Sequence, residues 1–194
     1  MKFSAAVVAV LLTGIGSAAI VRTGVPERQM IPGDLPPDPA PVVAPAPTAP
    51  QAGWCEKPLV IAVSDAFSDE CAENIHLAVE YWRGVGVTYI ANVGMIPDSA
   101  ITDKDVELPN GWIPVFPQDE IGEGVLGATW VARSAAGCIA EADIALSTCQ
   151  LPTVIHELGH ALGLRHVDDP TNLMNPYYTG RMGLEAWQRA QVRK

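Results

Sequence analysis

The pattern of apolar and polar residues between 53 and 194 predicts one domain that mixes strands with helices. Short runs of apolar residues predict strands, whereas apolar residues spaced three and four apart predict helices. The predicted strands are 59–63, 87–93, WIPVF at 112–116, 124–133 and 138–147. The predicted helices are 69–85 with Ser68 or Asp69 as its cap, 151–163 with Pro152 in its first turn, and 183–194. The Pro-, Gly- and acid-rich region 96–124 predicts loops around WIPVF.

The first 52 residues have a different composition from the predicted domain. Residues 1–21 hold one lysine followed by an apolar run that ends in small residues, which is typical of a signal peptide. Left uncleaved, the same run is just long enough to act as a membrane anchor. Residues 22–52 hold more than half of the prolines and no aromatic residue, which predicts an extended linker. We therefore expect a secreted or exported protein, with a membrane-anchored one as the alternative.

Charge and cysteine content narrow the class of protein further. The net charge is −10 with only 12 Lys and Arg residues, which argues against binding to nucleic acid or to an anionic membrane surface. The four cysteines (Cys55, Cys71, Cys138 and Cys149) all lie in the predicted domain, and none forms a C-x-x-C pair. An even number in an exported chain predicts two disulfides, with three pairings open.

Three of the four histidines fall within eleven residues, HELGHALGLRH, from 156 to 166. Residues four apart lie on one face of a helix, so His156 and His160 can bind one metal ion at about 2.0–2.1 Å. Gly163 can end the helix through a positive φ and turn the chain back, so that His166 supplies a third ligand. Three imidazoles leave the fourth position of a tetrahedral Zn²⁺ open, which is the mark of a catalytic zinc.

Glu157, which lies inside this pattern, and His76, which lies far before it, have separate interpretations. Glu157 lies beside the histidines but is rotated away from them, so it can reach a metal-bound water and act as the catalytic base. His76 stands alone on the first predicted helix, and we expect it to be a surface or half-buried residue and not a ligand.

The extended pattern H-E-x-x-H-x-x-G-x-x-H, followed by HVDDPTNLMNPYY at 166–178, resembles the catalytic domain of metzincin zinc proteases. It is most similar to their matrixin (matrix-metalloproteinase) branch, and the resemblance covers residues 126–178. It implies an α+β fold with a twisted mixed β-sheet, an antiparallel edge strand, an active-site helix and a C-terminal helix. It also implies an enzyme, a zinc metalloendopeptidase that hydrolyses peptide bonds of extended protein or peptide substrates.

The resemblance also implies roles for individual residues. Met174 would form the Met-turn beneath a single catalytic zinc, and Pro176 and Tyr178, with Tyr177 less favoured, would line the S1′ side. Residues 125–130 would form the edge strand that pairs with substrate, through Gly127 and Ala128. Asp169 would brace the turn between the third histidine and Met174.

The chain also departs from the matrixin pattern. It has Ala128 and Thr129 where matrixins carry additional histidines and aspartates, so we expect no second zinc and leave calcium open. No cysteine-switch sequence precedes Cys55, so thiolate latency is not expected. We expect a monomer, which contacts a membrane only if the N-terminal segment stays uncleaved. The alternative function is a non-catalytic, zinc-stabilised binding module on a Pro-rich stalk, but such a module would not need Glu157.

Overall fold

A computed structural model describes residues 53–102, 107–119, 121–122, 124–177 and 181–193. The predicted signal or anchor segment 1–21, the predicted linker 22–52 and Tyr178 lie outside these residues. Among the described residues, no helix is both long and apolar enough to cross a membrane.

In the described residues, five strands form one sheet, which confirms the predicted mixed topology. They are β1 (Leu59–Ser64), β2 (Ile90–Ile96), β3 (Trp112–Pro117), β4 (Gly127–Arg133) and β5 (Ile139–Leu146). Their order across the sheet is β2-β1-β3-β5-β4. All neighbouring pairs are parallel except β4 and β5, which are antiparallel. The sheet therefore ends in an antiparallel edge strand, β4, which pairs on one side only.

The described part of the chain also forms four helices: α1 (Asp69–Val85), α2 (Asp98–Thr102), α3 (Leu151–Ala161) and α4 (Ala186–Val192). The hydroxyl of Ser68 caps α1 by accepting a hydrogen bond from the Cys71 amide. Pro152 occupies the first turn of α3, where its missing N–H costs no intrahelical bond. Both predictions of helix starts at 69 and 151 are confirmed.

Two buried tryptophans fix α3 against the rest of the core. The Trp82 indole of α1 donates a hydrogen bond to the Ile155 carbonyl at 3.0 Å, and the Trp54 indole donates to the Ala161 carbonyl at 2.9 Å. Burying an indole is favourable only when its N–H has a partner, so each ring adds apolar area and a fixed orientation at once. The helix is therefore held at both its middle and its end.

Two disulfides connect distant parts of the chain, and Cys55 pairs with Cys138 while Cys71 pairs with Cys149. The first ties the N-terminal end of the described domain to the start of β5. The second ties the first turn of α1 to the residues just before α3. Of the three pairings that the cysteine count left open, the structure has this one.

Several predicted boundaries were wrong. The strand predicted at 87–93 begins at Ile90, because Val87 belongs to the end of α1: its amide bonds to the Trp82 carbonyl while Gly86 adopts φ 108°. The short helix α2 lies within the region predicted as loops. The first predicted residue of the last helix, Gly183, instead bridges to Asn172, and α4 begins at Ala186 after a capping box at Glu185.

Two further boundary errors concern β4 and α3. β4 begins at Gly127, three residues later than predicted, and α3 ends at Ala161, two residues earlier. The end of α3 follows from Gly163, whose φ of 94° cannot continue a right-handed helix.

Candidate metal centre

The end of α3 brings the three clustered histidines together, as the spacing predicts. His156 and His160 project from the same face of α3, and the left-handed Gly163 turns the chain so that His166 faces them. The Nε2 atoms lie 3.0 Å apart for His156 and His160, 3.0 Å for His160 and His166, and 3.2 Å for His156 and His166. Three ring nitrogens thus converge on one point.

The separations of these nitrogens fit a zinc ion. Two nitrogen ligands at about 2.0–2.1 Å from a tetrahedral ion are roughly 3.3 Å apart. The observed Nε2 separations approach that value, and imidazole nitrogen is a preferred zinc ligand. Among the described residues, this is the one group of three or more His, Cys, Asp or Glu side chains whose possible ligand atoms all lie within 4.8 Å of one another.

Backbone carbonyls orient two of the three rings. Nδ1 of His156 lies 2.8 Å from the Leu173 carbonyl oxygen, and Nδ1 of His160 lies 2.9 Å from the Leu164 carbonyl oxygen. A carbonyl can only accept, so each Nδ1 carries the proton and donates it. Each Nε2 is then left with the lone pair that a metal ion requires.

Burial keeps both rings of α3 neutral. It lowers the pKa of His156 to about 4, an effect that the bond to Leu173 opposes and the nearby His166 reinforces. Burial lowers the pKa of His160 to about 3, and the two neighbouring histidines lower it further. Neutral imidazoles bind metal ions, so the metal-free site is already in the binding protonation state at neutral pH.

Glu157 is buried, with 3% of its surface exposed, and it contacts the edge strand. The Thr129 hydroxyl lies 2.7 Å from Oε2 of Glu157 and 3.0 Å from its main-chain carbonyl oxygen. Gly127 faces the same side chain: a Cβ on it would lie 2.7 Å from Cγ of Glu157 and 3.0 Å from Oε1. The carboxyl group is therefore held in place by a hydroxyl on one side and by a glycine backbone on the other.

Met174 lies beneath the helix that carries the histidines, and it is fully buried. A Cβ on Gly159, which stands between His156 and His160, would lie 2.6 Å from the Met174 sulfur. The glycine of HELGH thus provides the space that the methionine fills. The backbone of this turn returns toward the third histidine, because the Val167 amide donates to the Met174 carbonyl at 2.8 Å.

A buried pair of amide side chains holds this methionine turn to the last helix. Asn172 and Gln188 exchange two hydrogen bonds of 2.9 and 3.1 Å, and Oδ1 of Asn172 also accepts from the Met174 amide at 2.9 Å. Neither amide is predicted from the sequence, because no local pattern pairs residues sixteen apart. The one indication is that Gln188 is a polar residue on the apolar side of the last predicted helix.

Asp169 stabilises the segment between His166 and Met174 through local hydrogen bonds. Its carboxylate accepts hydrogen bonds from the Thr171 amide and hydroxyl, each 2.8 Å long. These two bonds, the amide first, lower the pKa of Asp169. These bonds support the structural role that we predict for Asp169.

The remaining predicted site residues that the structure describes lie on β4 or just after the methionine turn. Gly127 and Ala128 begin β4, the edge strand. Pro176 is half-buried and Tyr177 is 47% exposed, just after the methionine turn. Tyr178 lies outside the described residues. His76 is exposed on α1, as expected.

A comparison with protein families supports the same assignment. Residues 127–189 match the family model Peptidase_M10, described as matrixin. The matched segment runs from the start of β4 into α4 and includes all three histidines, Glu157 and Met174. Taken with the converging imidazoles, the match supports a matrixin-like catalytic domain, that of a zinc metalloprotease.

Proposed function

We propose that the protein is a zinc-dependent endopeptidase that cleaves extended protein or peptide substrates, with Glu157 as its catalytic base. The observation that carries this proposal is a buried carboxylate held beside three converging imidazoles. A zinc that served only to stabilise a fold would have no need of such a carboxylate. A non-catalytic binding module on a Pro-rich stalk remains the alternative for the test to exclude.

His156, His160 and His166 would hold the ion, with Met174 as the apolar floor below them. When bound, zinc lowers the pKa of a coordinated water to about 7 and polarises the scissile carbonyl. The protein's part is to present neutral, oriented imidazoles and to leave one coordination position open. The carbonyls of Leu164 and Leu173 perform the orienting.

Glu157 would move the proton. Its carboxylate takes a proton from the attacking water and returns it to the leaving amine, a role worth about 10²–10⁴-fold in rate. The Thr129 hydroxyl occupies Oε2 at 2.7 Å, so Oε1 is the oxygen we assign to the proton transfer.

The free edge of β4 would align the substrate. An edge strand offers unpaired N–H and C=O groups to an extended peptide, and Gly127 and Ala128 lie on β4 next to Glu157. Pro176 and Tyr178 would line the S1′ side, because they follow the methionine turn directly in the chain.

The N-terminal organisation is part of the proposal. Residues 1–21 would act as a signal peptide or signal anchor and 22–52 as a linker, which places the protease outside the cytoplasm. Two disulfides in the described domain are compatible with an oxidising compartment. Determining the N-terminal residue of the mature protein decides between cleavage and retention.

The test compares the full chain with its Glu157→Gln variant on a casein-type substrate, with and without a zinc chelator. We expect chelator-sensitive cleavage by the wild type, and a loss of at least about 100-fold in Glu157→Gln, with zinc content unchanged at one per chain. Glu73→Gln, which neutralises an exposed carboxylate on α1, is the matched control and should keep full activity. Full activity in Glu157→Gln would refute the assigned role.

A further inference from the structure

A pocket of about 180 Å³ opens beside the metal centre, between β4 and the segment that follows α3. Its lining residues are Thr129, Val131 and Arg133 on β4, and His160 with residues 163–165 on the other side. Thr129 bonds to Glu157 and His160 is a proposed zinc ligand, so the pocket is continuous with the proposed reaction centre. Drug-sized ligands occupy about 300–1,000 Å³, so this volume suits one amino-acid side chain.

The pocket carries positive charge. Arg133 and Arg165 both line it, and no aspartate or glutamate of the described residues is among its lining residues. The two guanidinium groups are near enough that Arg165, after burial, lowers the pKa of Arg133. Both side chains are exposed, in a protein whose net charge is −10. A positive charge at a cleft attracts an anion, and the charge of Arg165 is the one on which that attraction depends here.

Arg165 is the arginine of this pocket whose charge is open to a ligand. The neighbouring Arg133 donates a hydrogen bond to the Gly137 carbonyl at 2.9 Å, which fixes the direction of its guanidinium. Arg165 has neither a hydrogen bond nor an ion pair with another residue in the described part of the chain. Guanidinium groups match carboxylates in a two-pronged geometry, which a lysine does not offer.

The geometry of the edge strand brings substrate side chains to this pocket. Residues 129, 131 and 133 alternate along β4 and so share one face of the sheet. A peptide paired with the free edge of β4 presents every second side chain to that same face. The backbone of Arg133 lies four residues beyond Thr129, or about 13 Å along the strand. The long side chain of Arg133 can bring its charge closer to Thr129 than that backbone distance.

From this arrangement we infer that the pocket is a specificity subsite that selects an acidic residue of the substrate. The acidic residue lies two to four positions from the cleaved bond, always on the same side of it. The inference rests on the proposed endopeptidase function and adds the substrate class to it. Because both arginines are exposed, we expect a preference of about five- to tenfold over alanine at that position.

The experiment maps the cleavage sites of the zinc-loaded full chain in a peptide library made from digested proteins. Aspartate and glutamate should be enriched at one or two positions on one side of the cleaved bonds. Matched peptides with Glu or Ala at that position then give a ratio of kcat/KM. In Arg165→Gln and in the Arg133→Gln, Arg165→Gln variant this ratio should fall toward one, and in Arg165→Glu a lysine peptide should become the better substrate.

Arg83→Gln removes the same charge from α1, far from the pocket, and should leave the ratio unchanged. Chelator-sensitive cleavage without acidic enrichment, or with enrichment that survives the double substitution, overturns the subsite and leaves the endopeptidase intact. A wild type that cleaves nothing while holding one zinc overturns the endopeptidase, and the subsite with it.

Discussion

At the scale of single residues, Thr129 is the side chain whose contact is hardest to explain by packing alone. It lies on the edge strand, yet its hydroxyl is aimed inward at the Glu157 carboxylate. A buried carboxylate needs donors, and a hydroxyl that donates to Oε2 leaves Oε1 without that bond. From the sequence, Thr129 is predicted only as a position that lacks a metal ligand.

Thr129→Val, which replaces the hydroxyl with a methyl of similar shape, should lower kcat about tenfold with KM nearly unchanged. The base would still be present but no longer held in one orientation, and misplacement of a catalytic group reduces rate more than binding. Steady-state kinetics on one peptide give the two constants. Thr129→Ser restores the donor and should recover most of the rate; a Val variant with normal kcat would show that the bond has no role in turnover.

At the scale of elements, the turn after α3 decides whether the third histidine meets the first two. Gly163 adopts φ 94°, and a Cβ on it would also lie 3.1 Å from Cδ1 of Ile139 in β5. An L-residue pays about 1–2 kcal/mol for a left-handed conformation, and here it must also displace a core methyl. The helix end and the third ligand are thus one structural unit.

Gly163→Ala should therefore lower both the stability of the domain and its affinity for zinc, because the turn that carries His166 shifts. Gly137→Ala is a matched control: its φ is 84°, but no atom lies within 4 Å of the added Cβ. It should lose about 1–2 kcal/mol of stability through backbone strain alone and keep its zinc affinity. Zinc titration and thermal unfolding separate the two effects; equal zinc affinities would contradict this account.

The same element shows which parts of the structure the sequence could predict. His156, His160, Gly163 and His166 follow one another within eleven residues, so helix periodicity and a glycine stop are enough to bring them together. The Asn172–Gln188 pair and the two disulfides join residues that no local rule connects. The shifted start of β2 has a similar cause, because an apolar Val87 fits equally well in a strand or just after the Gly86 cap of α1, where its amide bonds to Trp82.

At the scale of the whole molecule, folding places two imidazoles in surroundings where they resist protonation. The core around α3 is closed by Trp82, Met174 and the turn that supplies the Leu173 carbonyl. The pKa of His156 falls to about 4 and that of His160 to about 3, mainly through burial. Formation of the metal site therefore depends on the folded core. The protonation of His156 and His160 is consequently linked to folding.

The metal-free protein should consequently lose stability as the pH falls from about 6.5 toward 4. In the unfolded chain both histidines regain a pKa near 6.5 and take up protons across this range, whereas the folded core keeps them neutral. Protons thus favour the unfolded chain, and the free energy of unfolding declines with falling pH. Urea unfolding of the chelator-treated protein at several pH values measures the slope.

Carboxylates titrate in the same range, so the informative quantity is the difference between variants. His156→Gln, His160→Gln removes both titrating rings and should show a shallower decline than the wild type between pH 6.5 and 4. His76→Gln, on the exposed side of α1, should follow the wild type. Identical slopes in all three proteins would mean that the buried rings do not resist protonation, and that the site is not held ready for a metal by the fold.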